Sequence, residues 1–596
     1  MVKIIADNIL SPLGATTADN LLAVRHCRSA LVPHRLWQVP EPFVASLFPE
    51  GDGRPAFEQL VLASIRRCLA GQELSGRVVL VLATTKGATV GPEACPLGES
   101  AQRVASLLRP SLPHVSSLAS FVVSNACISG LSALIVAQRL LTMGLYDYAI
   151  VTGCDVQSRF IVAGFQSFMA LSPEPCRPFD DDRCGLNLGE AAATVLLQGC
   201  SAPAEAPAAA APACADWVAL PGFMRNDAYH ISTPSRTAEG SFLALTAALG
   251  FVPSPACISA HGTATLYNDE MEALAIHRAV QFESALGEVP VTALKGYFGH
   301  TMGAAGILES ILTLHALQEG WVPGTLGFHS LGTSRPVRVA GSHQSLTALQ
   351  QSGPSFVKLM SGFGGCNAAM GFECVSDSKG CDLRDSKGYE GILRDFKGQM
   401  CSGVEDESME PHDAGLSIRI TPQGATLCGD ALPTGGTTGR ALLTALYRQY
   451  VGDYPKFYKM DLLSRLGFIA AELLMQREAA SEPFGTHRAV LLFGHTASQA
   501  ADRRFELTIQ PGPDYFPSPA DFVYTLPNIV TGEIAIRHQL HGETCYFALA
   551  RRDDALIRQL VRQAYLDPAT TSVLFGWIDA PDDDHFECEL CIINKK

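Results

Sequence analysis

A chain of 596 residues with 47% hydrophobic and 17% charged residues and a mean hydropathy of +0.15 reads as a well-filled globular protein of more than one domain. The net charge of −15 argues against a general nucleic-acid binder, because neutralising phosphates needs a basic surface. The start, MVKIIADNILSPLG, has no signal-type apolar core, and no run of about 18 apolar residues predicts a membrane span. The 18 cysteines, without a CxxC pair, fit a reducing cytoplasm better than an oxidised secreted scaffold.

In chain order, FEQLVLASIRRCL is a helical segment that presents Arg66 and Arg67, and VVLVLATT (Val78 to Thr85) is a buried strand. Ile128 to Gly144 predicts a helix, and Tyr148 to Asp155 and Ala193 to Gln198 predict strands. The Ala/Pro-rich stretch 200–214 reads as a loop. The run ending in PVTALK (Pro290 to Lys295) predicts another strand, and Gly303 to Gly320 a helix with apolar spacing near 3.6. Residues 376–415, with Asp-Ser-Lys-Gly and Asp-Phe-Lys-Gly strings and few large apolar residues, read as a linker. Strands alternating with helices imply a layered α/β protein with mostly parallel sheet. Segment 416–596 looks like a partial copy of the beginning. Laying Ala555-Leu556-Ile557 on Ala133-Leu134-Ile135 brings VLFGWID to the position of IVTGCDV and sets Leu549 opposite Cys127.

SNACISG places Cys127 between an apolar strand and a helix opened by small residues. There a helix dipole and free N–H groups favour a thiolate and, later, an oxyanion. Taken alone, the segment fits a small buried cysteine before a core helix better than a nucleophile, since such strings are common. Two further loops bear on the choice. HGTATLYNDEMEALAI (from His261) and KGYFGHTMGAAGILES (from Lys295, with His300) each put a histidine on a glycine-bearing loop after a strand-like run. Catalytic groups of α/β sheets collect at such strand ends. Cys127, His261 and His300 also have the chemistry of metal ligands. Their wide separation in sequence, without HxxxH or CxxC, supplies no local metal motif, and no metal is expected.

Seven strings in order, SPLG, SNACISG, FMALSPEPCRPFDDDRCGLNLGEAAA, NDAYHISTP, HGTATLYND, KGYFGHTMGAAG and GFGGCNAAMGF, resemble the ketoacyl synthase (condensing enzyme) family over about Ile4 to Cys374. The resemblance implies a thiolase-type fold of two α/β halves in five layers. Residues 1–199 would carry the cysteine and 215–375 both histidines. It also implies a dimer. By motif position Cys127 would accept the acyl group, and His261 and His300 would bind the malonyl thioester carbonyl. Lys295 would support that loop's charge and Glu309 would organise it. Phe363 would sit in a gating loop and share an oxyanion hole with Cys127 through backbone N–H groups. Thr263 and Thr265 would line the phosphopantetheine channel. No cofactor is implied beyond the phosphopantetheine of acyl carrier protein, the expected partner; a local basic patch would receive that acidic protein, with Arg66 and Arg67 as candidates or as simple solvated charges. Cys184, Ala191, Asn125 and Cys366 depart from the family's usual Asp, Gly, Thr and Thr. A thiolase would need a second reactive cysteine in a CxGGG-like loop, which Cys366 does not match.

The segment 416–596 is similar to short ketoacyl-synthase-like proteins covering only the nucleophile-bearing half, and in role to chain-length factors, which lack the active cysteine. His495, His538 and His541 lie on no recognisable site string. A full synthase with such a partner resembles aryl polyene pigment systems, implying iterative extension with the C-terminal part shaping the tunnel end, or else a dead duplicate that aids packing. The competing reading of the whole chain is a non-catalytic scaffold or chain-length partner of another ketosynthase.

Overall fold

The computed structural model describes residues 2–49, 56–88, 95–200, 202, 217–252, 254–347, 350, 353–375, 416–479, 485–512 and 515–595. The expected linker 376–415 and, apart from Cys200 and Ala202, the Ala/Pro-rich stretch lie outside them.

The first unit contains β1 (Val2–Leu10), α1 (Phe57–Cys68), β2 (Gly76–Ala83), β3 (Val115–Val123), α2 (Ser129–Thr142), β4 (Tyr148–Asp155), α3 (Arg159–Ser167) and β5 (Ala191–Gln198). Its strand order is β3-β2-β4-β5-β1, parallel from β3 to β4 and antiparallel beyond. From Val78 to Ala83, β2 is wholly buried, as a run apolar on both faces must be when layers cover both sides of a parallel sheet. The second unit has β6 (Trp217–Asn226), β7 (Cys257–Ser259), α4 (Leu266–Phe282), β8 (Val291–Thr292), α5 (Ala305–Gln318), β9 (Ser355–Gly362) and β10 (Cys366–Cys374). It repeats the order, β8-β7-β9-β10-β6. The two sheets meet where β1 pairs with β6, and α2 packs on α5 between them. Close approach there demands glycine: a Cβ on Gly130 would stand 2.6 Å from the Gly303 carbonyl oxygen.

The strand expected over Pro290 to Lys295 is shorter than its apolar run. Only Val291–Thr292 pairs, and Leu294 already has helical angles (φ −101°, ψ 0°), so that Lys295 opens a helical turn. That turn brings the Lys295 ammonium onto the carbonyl of His261, 2.6 Å away.

The third unit comprises β11 (Ser417–Thr421), β12 (Ala489–Gly494), α6 (Pro519–Tyr524), α7 (Ile529–His538), β13 (Thr544–Ala548), α8 (Asp554–Arg562), β14 (Ser572–Asp579) and β15 (Glu587–Asn594). It follows the same order again, β13-β12-β14-β15-β11. Its edge strand β13 pairs antiparallel with β3, Phe547 opposite Val123, so the first and third sheets run on through that junction. The β3 edge is therefore occupied within one chain. Arg139–Glu543 (2.7 Å) and Lys86–Asp502 (2.6 Å) are ion pairs across the same boundary, and Arg225–Asp567 ties the second unit to the third.

This pairing corrects the register of the internal repeat. Val123 stands beside Ala83, and Phe547 stands beside Phe493 in the same way, so Val123 and Phe547 are equivalent. Cys127, four residues past Val123, then corresponds to Arg551, four past Phe547, and not to Leu549. Matching the helical Ala-Leu-Ile strings had placed the strands two residues out. Arg551 is exposed, whereas Leu549 is buried in the shared core.

Candidate active site

Each catalytic candidate stands just beyond the C-terminal end of a parallel strand. Cys127 follows β3 in a tight helical turn, Ala126–Ile128, entered through Ala126 at φ +48°. A non-glycine residue in that region is strained and must be held. Here Ser129 Oγ accepts from the Asn125 amide (2.8 Å) and donates to the Ala126 carbonyl (2.6 Å). His261 follows β7. Its amide and that of Gly262 donate to Glu272 on α4, at 2.5 and 2.8 Å. His300 is placed by Gly299 (φ +68°), whose missing Cβ would lie 2.4 Å from the Leu188 carbonyl, and by the hydrogen bond that its own N–H donates to the Asn187 carbonyl (2.6 Å).

These loops bring Cys127, His261 and His300 together. The cysteine sulfur and the nearest ring nitrogens all lie within 4.8 Å of one another, and the rings meet edge to face at 5.1 Å. Such a trio would suit a soft metal in donor type, but the Lys295 ammonium directly behind His261 opposes a second cation. Lys295 Nζ donates to His261 Nδ1 (3.2 Å) and to its carbonyl (2.6 Å), and pairs with Glu309 Oε1 (2.8 Å). Met302 N–H donates to His300 Nδ1 at 3.3 Å. With both Nδ1 atoms accepting, the ring protons sit on Nε2, facing the cysteine. Burial, with Lys295 second, holds both imidazoles well below their usual range, so they are neutral donors at physiological pH.

The cysteine departs from expectation. Burial pushes its thiol up to about 12, with Asp155 adding to the effect, while Lys295 and the N–H groups of Cys127 and Phe363 oppose it. Desolvation outweighs the helix-terminal field, so the resting group is a thiol. The two amides that point at the sulfur are those expected to form the oxyanion hole.

Cys127 and the histidines open into a cavity of about 380 Å³. Thr263 and Thr265, their hydroxyls 2.9 Å apart, line its wall, as do Phe165, Phe168 and Phe363. Behind those rings stands Phe522 of α6. Its centroid is 5.5 Å from that of Phe165 and 6.2 Å from that of Phe168, and a Cβ on Gly164 would be 2.1 Å from its ring. Asn528, also from the third unit, donates to the Phe363 carbonyl at 2.8 Å. A Cβ on Gly364 (φ +91°) would meet its Nδ2 at 2.6 Å. Asn125, the departure before the nucleophile, donates to the Thr544 carbonyl at 2.9 Å. Cys366 lies under the same loop, 3.2 Å from the Phe363 carbonyl, and Cys184 is exposed at the cavity mouth beside Ser172 (3.2 Å). Arg66 and Arg67 are exposed on α1 and do not line the cavity; nor do His495, His538 and His541.

Sequence reasoning passed over four residues. Asp155, fully buried, ends β4 and accepts from Gly303 N–H (2.7 Å) and Thr84 Oγ1 (2.8 Å), tying the cysteine-bearing unit to the His300 loop. Its sign was an acidic residue closing an apolar strand. Glu272 holds the His261 turn, and Lys358 is the one charge in the apolar run SFVKLMSG. Asn528 carries no local signal.

Residues 119–202 match the family model "Beta-ketoacyl synthase, N-terminal domain", and 220–329 match "Beta-ketoacyl synthase, C-terminal domain". Over 270 residues the chain is 32% identical to 3-oxoacyl-[acyl-carrier-protein] synthase 2 of Vibrio cholerae, covering 43% of this chain and 62% of that protein. It is 31% identical over 283 residues to the mitochondrial 3-oxoacyl-[acyl-carrier-protein] synthase of Arabidopsis thaliana (44% and 59%). It is 33% identical over 213 residues to nodulation protein E of Rhizobium leguminosarum (35% and 51%). The matches thus span between about half and three-fifths of these relatives. Among solved structures, "PfaC Keto synthase-Chain length factor" superposes on 99% of this chain and 78% of its own, with a TM-score of 0.67 at 12% identity. A ketosynthase (ApeO) in complex with its chain length factor (ApeC) from Xenorhabdus doucetiae covers 63% of this chain and 98% of its own, with a TM-score of 0.51 at 24% identity. Residues 119–202 and 220–329 are thus similar to the beta-ketoacyl synthase family, and the chain shares the thiolase-type fold of these ketosynthase structures.

Proposed function

We propose that the protein is a β-ketoacyl-[acyl carrier protein] synthase. An acyl group passes from the carrier's phosphopantetheine sulfur to Cys127; the carrier thiol leaves with the cysteine's proton. A malonyl thioester then enters past Thr263 and Thr265, and its carbonyl oxygen accepts N–H bonds from His261 and His300. Breaking the bond to the carboxylate releases carbon dioxide and leaves the electron pair as an enolate, whose charge those neutral donors stabilise. The enolate carbon attacks the acyl carbonyl. The oxyanion is held by the amides of Cys127 and Phe363, and its collapse expels the Cys127 sulfur, which regains a proton. The 3-oxoacyl product remains on the carrier. No cofactor other than that carried arm is required.

The reading rests on the convergence of Cys127, His261 and His300 around one cavity. We infer further that the synthase is iterative, of the polyketide, aryl polyene or fatty-acid kind, and that the third unit acts in cis as its chain-length partner. Support comes from the β3–β13 junction, from Phe522 behind the cavity wall and from Asn528 on the Phe363 carbonyl. A reducing cytoplasm suits a nucleophile that must remain a thiol. The test is Cys127→Gln supplied with malonyl carrier and an acyl primer: condensation stops while malonyl decarboxylation continues. Undiminished condensation would exclude Cys127 as the acyl acceptor, and absence of both activities from the parent protein would favour a non-catalytic partner.

A further inference from the structure

Lys358 is left unused by the reaction outlined above, yet it is fully buried on β9 beneath the two imidazoles. A lysine in such a place loses its hydration and persists only if paired and hydrogen-bonded. Its Nζ stands 2.6 Å from Glu309 Oε2 and donates to the carbonyls of Ala260 (2.8 Å) and Ser259 (3.1 Å). Lys295 faces it across the same carboxylate, on Glu309 Oε1 and on the carbonyl of His261. Two ammonium groups therefore grip three consecutive carbonyls, those of residues 259–261, and share one carboxylate between them.

The charges close as well. Glu272 from α4 receives the amides of His261 and Gly262; burial raises its carboxyl to about 7, and in its ionised form it offsets, with Glu309, Lys295 and Lys358. The other groups around the imidazoles are Cys127 at the start of α2, Asp155 from β4, and Asp269 of α4, which accepts from Ala264 and Phe179 N–H groups with Arg183 nearby.

We propose that Lys358 is a positioning residue of this site: it fixes the turn that carries His261 and balances the second carboxylate buried beneath the two histidines. Its catalytic meaning rests on the condensing-enzyme reading; its test does not. Lys358 is among the charges that hold both imidazoles low, after burial and Lys295. Without it, one uncompensated negative charge remains close to both rings.

The experiment is a carbon-13 NMR titration of histidine rings in the full chain, with His261 and His300 assigned from His→Asn variants. In Lys358→Met the protonation midpoint of both rings rises by about two pH units, the size expected for a unit charge about 6 Å off at an effective dielectric of about 20. In Lys358→Met/Glu309→Gln, which restores the charge balance, the midpoints return to the parent's, while malonyl decarboxylation, read in the Cys127→Gln background, stays several-fold below the parent because the turn is unpinned. Unmoved midpoints in the single variant overturn the charge role, and a parental decarboxylation rate in the double variant overturns the positioning role. If Lys358→Met fails to fold, the double variant decides alone: parental midpoints with a lowered rate uphold the proposal, and raised midpoints or a parental rate sink it. A Cys127→Gln parent that releases no carbon dioxide would instead refute the condensing reading, and the titration would still judge Lys358.

Discussion

Phe522 is a side chain through which the third unit bears on the cavity beside Cys127, and its truncation is the sharpest test of the proposed chain-length role. The ring is 3% exposed and packs against Phe160, Phe165, Phe168 and Phe505. Truncating a buried phenylalanine to alanine costs about 3–5 kcal/mol, and a cavity share of roughly 2 kcal/mol corresponds to a void of roughly 80 Å³ at about 24 cal/mol per Å³. That is roughly a fifth of the existing 380 Å³, opened directly behind two rings of its wall. An acyl chain longer by about two or three methylenes would refill it, at about 0.8 kcal/mol for each CH₂ buried. Phe522→Ala should therefore lower the melting temperature and shift the product distribution upward by about one two-carbon extension, with the longer acyl primer recovering part of the lost stability. The assay is mass spectrometry of carrier-bound products, beside thermal melts with each acylated enzyme. A destabilised variant with unchanged product lengths would show that Phe522 packs the boundary without shaping the cavity.

Asn528→Ala should slow acylation of Cys127 in single-turnover experiments while malonyl decarboxylation is spared, since it frees the Phe363 carbonyl and loosens the gating loop at a cost of about 1–3 kcal/mol. Ending the chain at residue 415 should give an aggregated or dimeric protein by light scattering, because it bares the β3 edge and strips Arg139, Lys86 and Arg225 of buried carboxylates, each worth about 3–5 kcal/mol when broken. Alkylation of Cys127, followed by peptide mass spectrometry, should keep accelerating above pH 9 towards about 12. Because the folded value lies above the unfolded one, the folded state holds this proton where the unfolded chain has lost it. Its contribution is full below the unfolded value and fades as pH rises through the folded one, and Cys127→Ala should flatten that alkaline decline in urea midpoints.

Much of the site was legible because its residues carry their own local signatures: a cysteine between strand and small-residue helix, and histidines on glycine loops after strands. Those signatures reflect backbone demands, such as the left-handed turns at Ala126, Gly262 and Gly299. What escaped was whatever depends on pairing between distant segments. Asn528 bonds Phe363 across 165 positions, and Lys358 reaches Ala260 across 98. The thiol's state escaped for another reason: helix-terminal fields can be read from a pattern, whereas burial is a property of the finished fold. The repeat register slipped by two residues because a helical string was matched where strand pairing decides.

The junction also accounts for the lost nucleophile. In a pair related by a twofold axis, each β3 edge satisfies its twin, and each twin has its own cysteine turn. Here the twin is β13, which pairs with β3 on one side and with β12 on the other. Selection for a closed sheet therefore preserves β13 and its buried core whether or not the third unit reacts. The turn after it bears no such load. Arg551 stands at the position of Cys127 on an exposed surface, and among the described residues of the third unit no counterpart of the His261 and His300 loops lies beside it. Catalytic residues erode where nothing converges on them. Asn528 and Phe522, which meet the Phe363 loop and the cavity wall across the boundary, tie the third unit to the surroundings of Cys127.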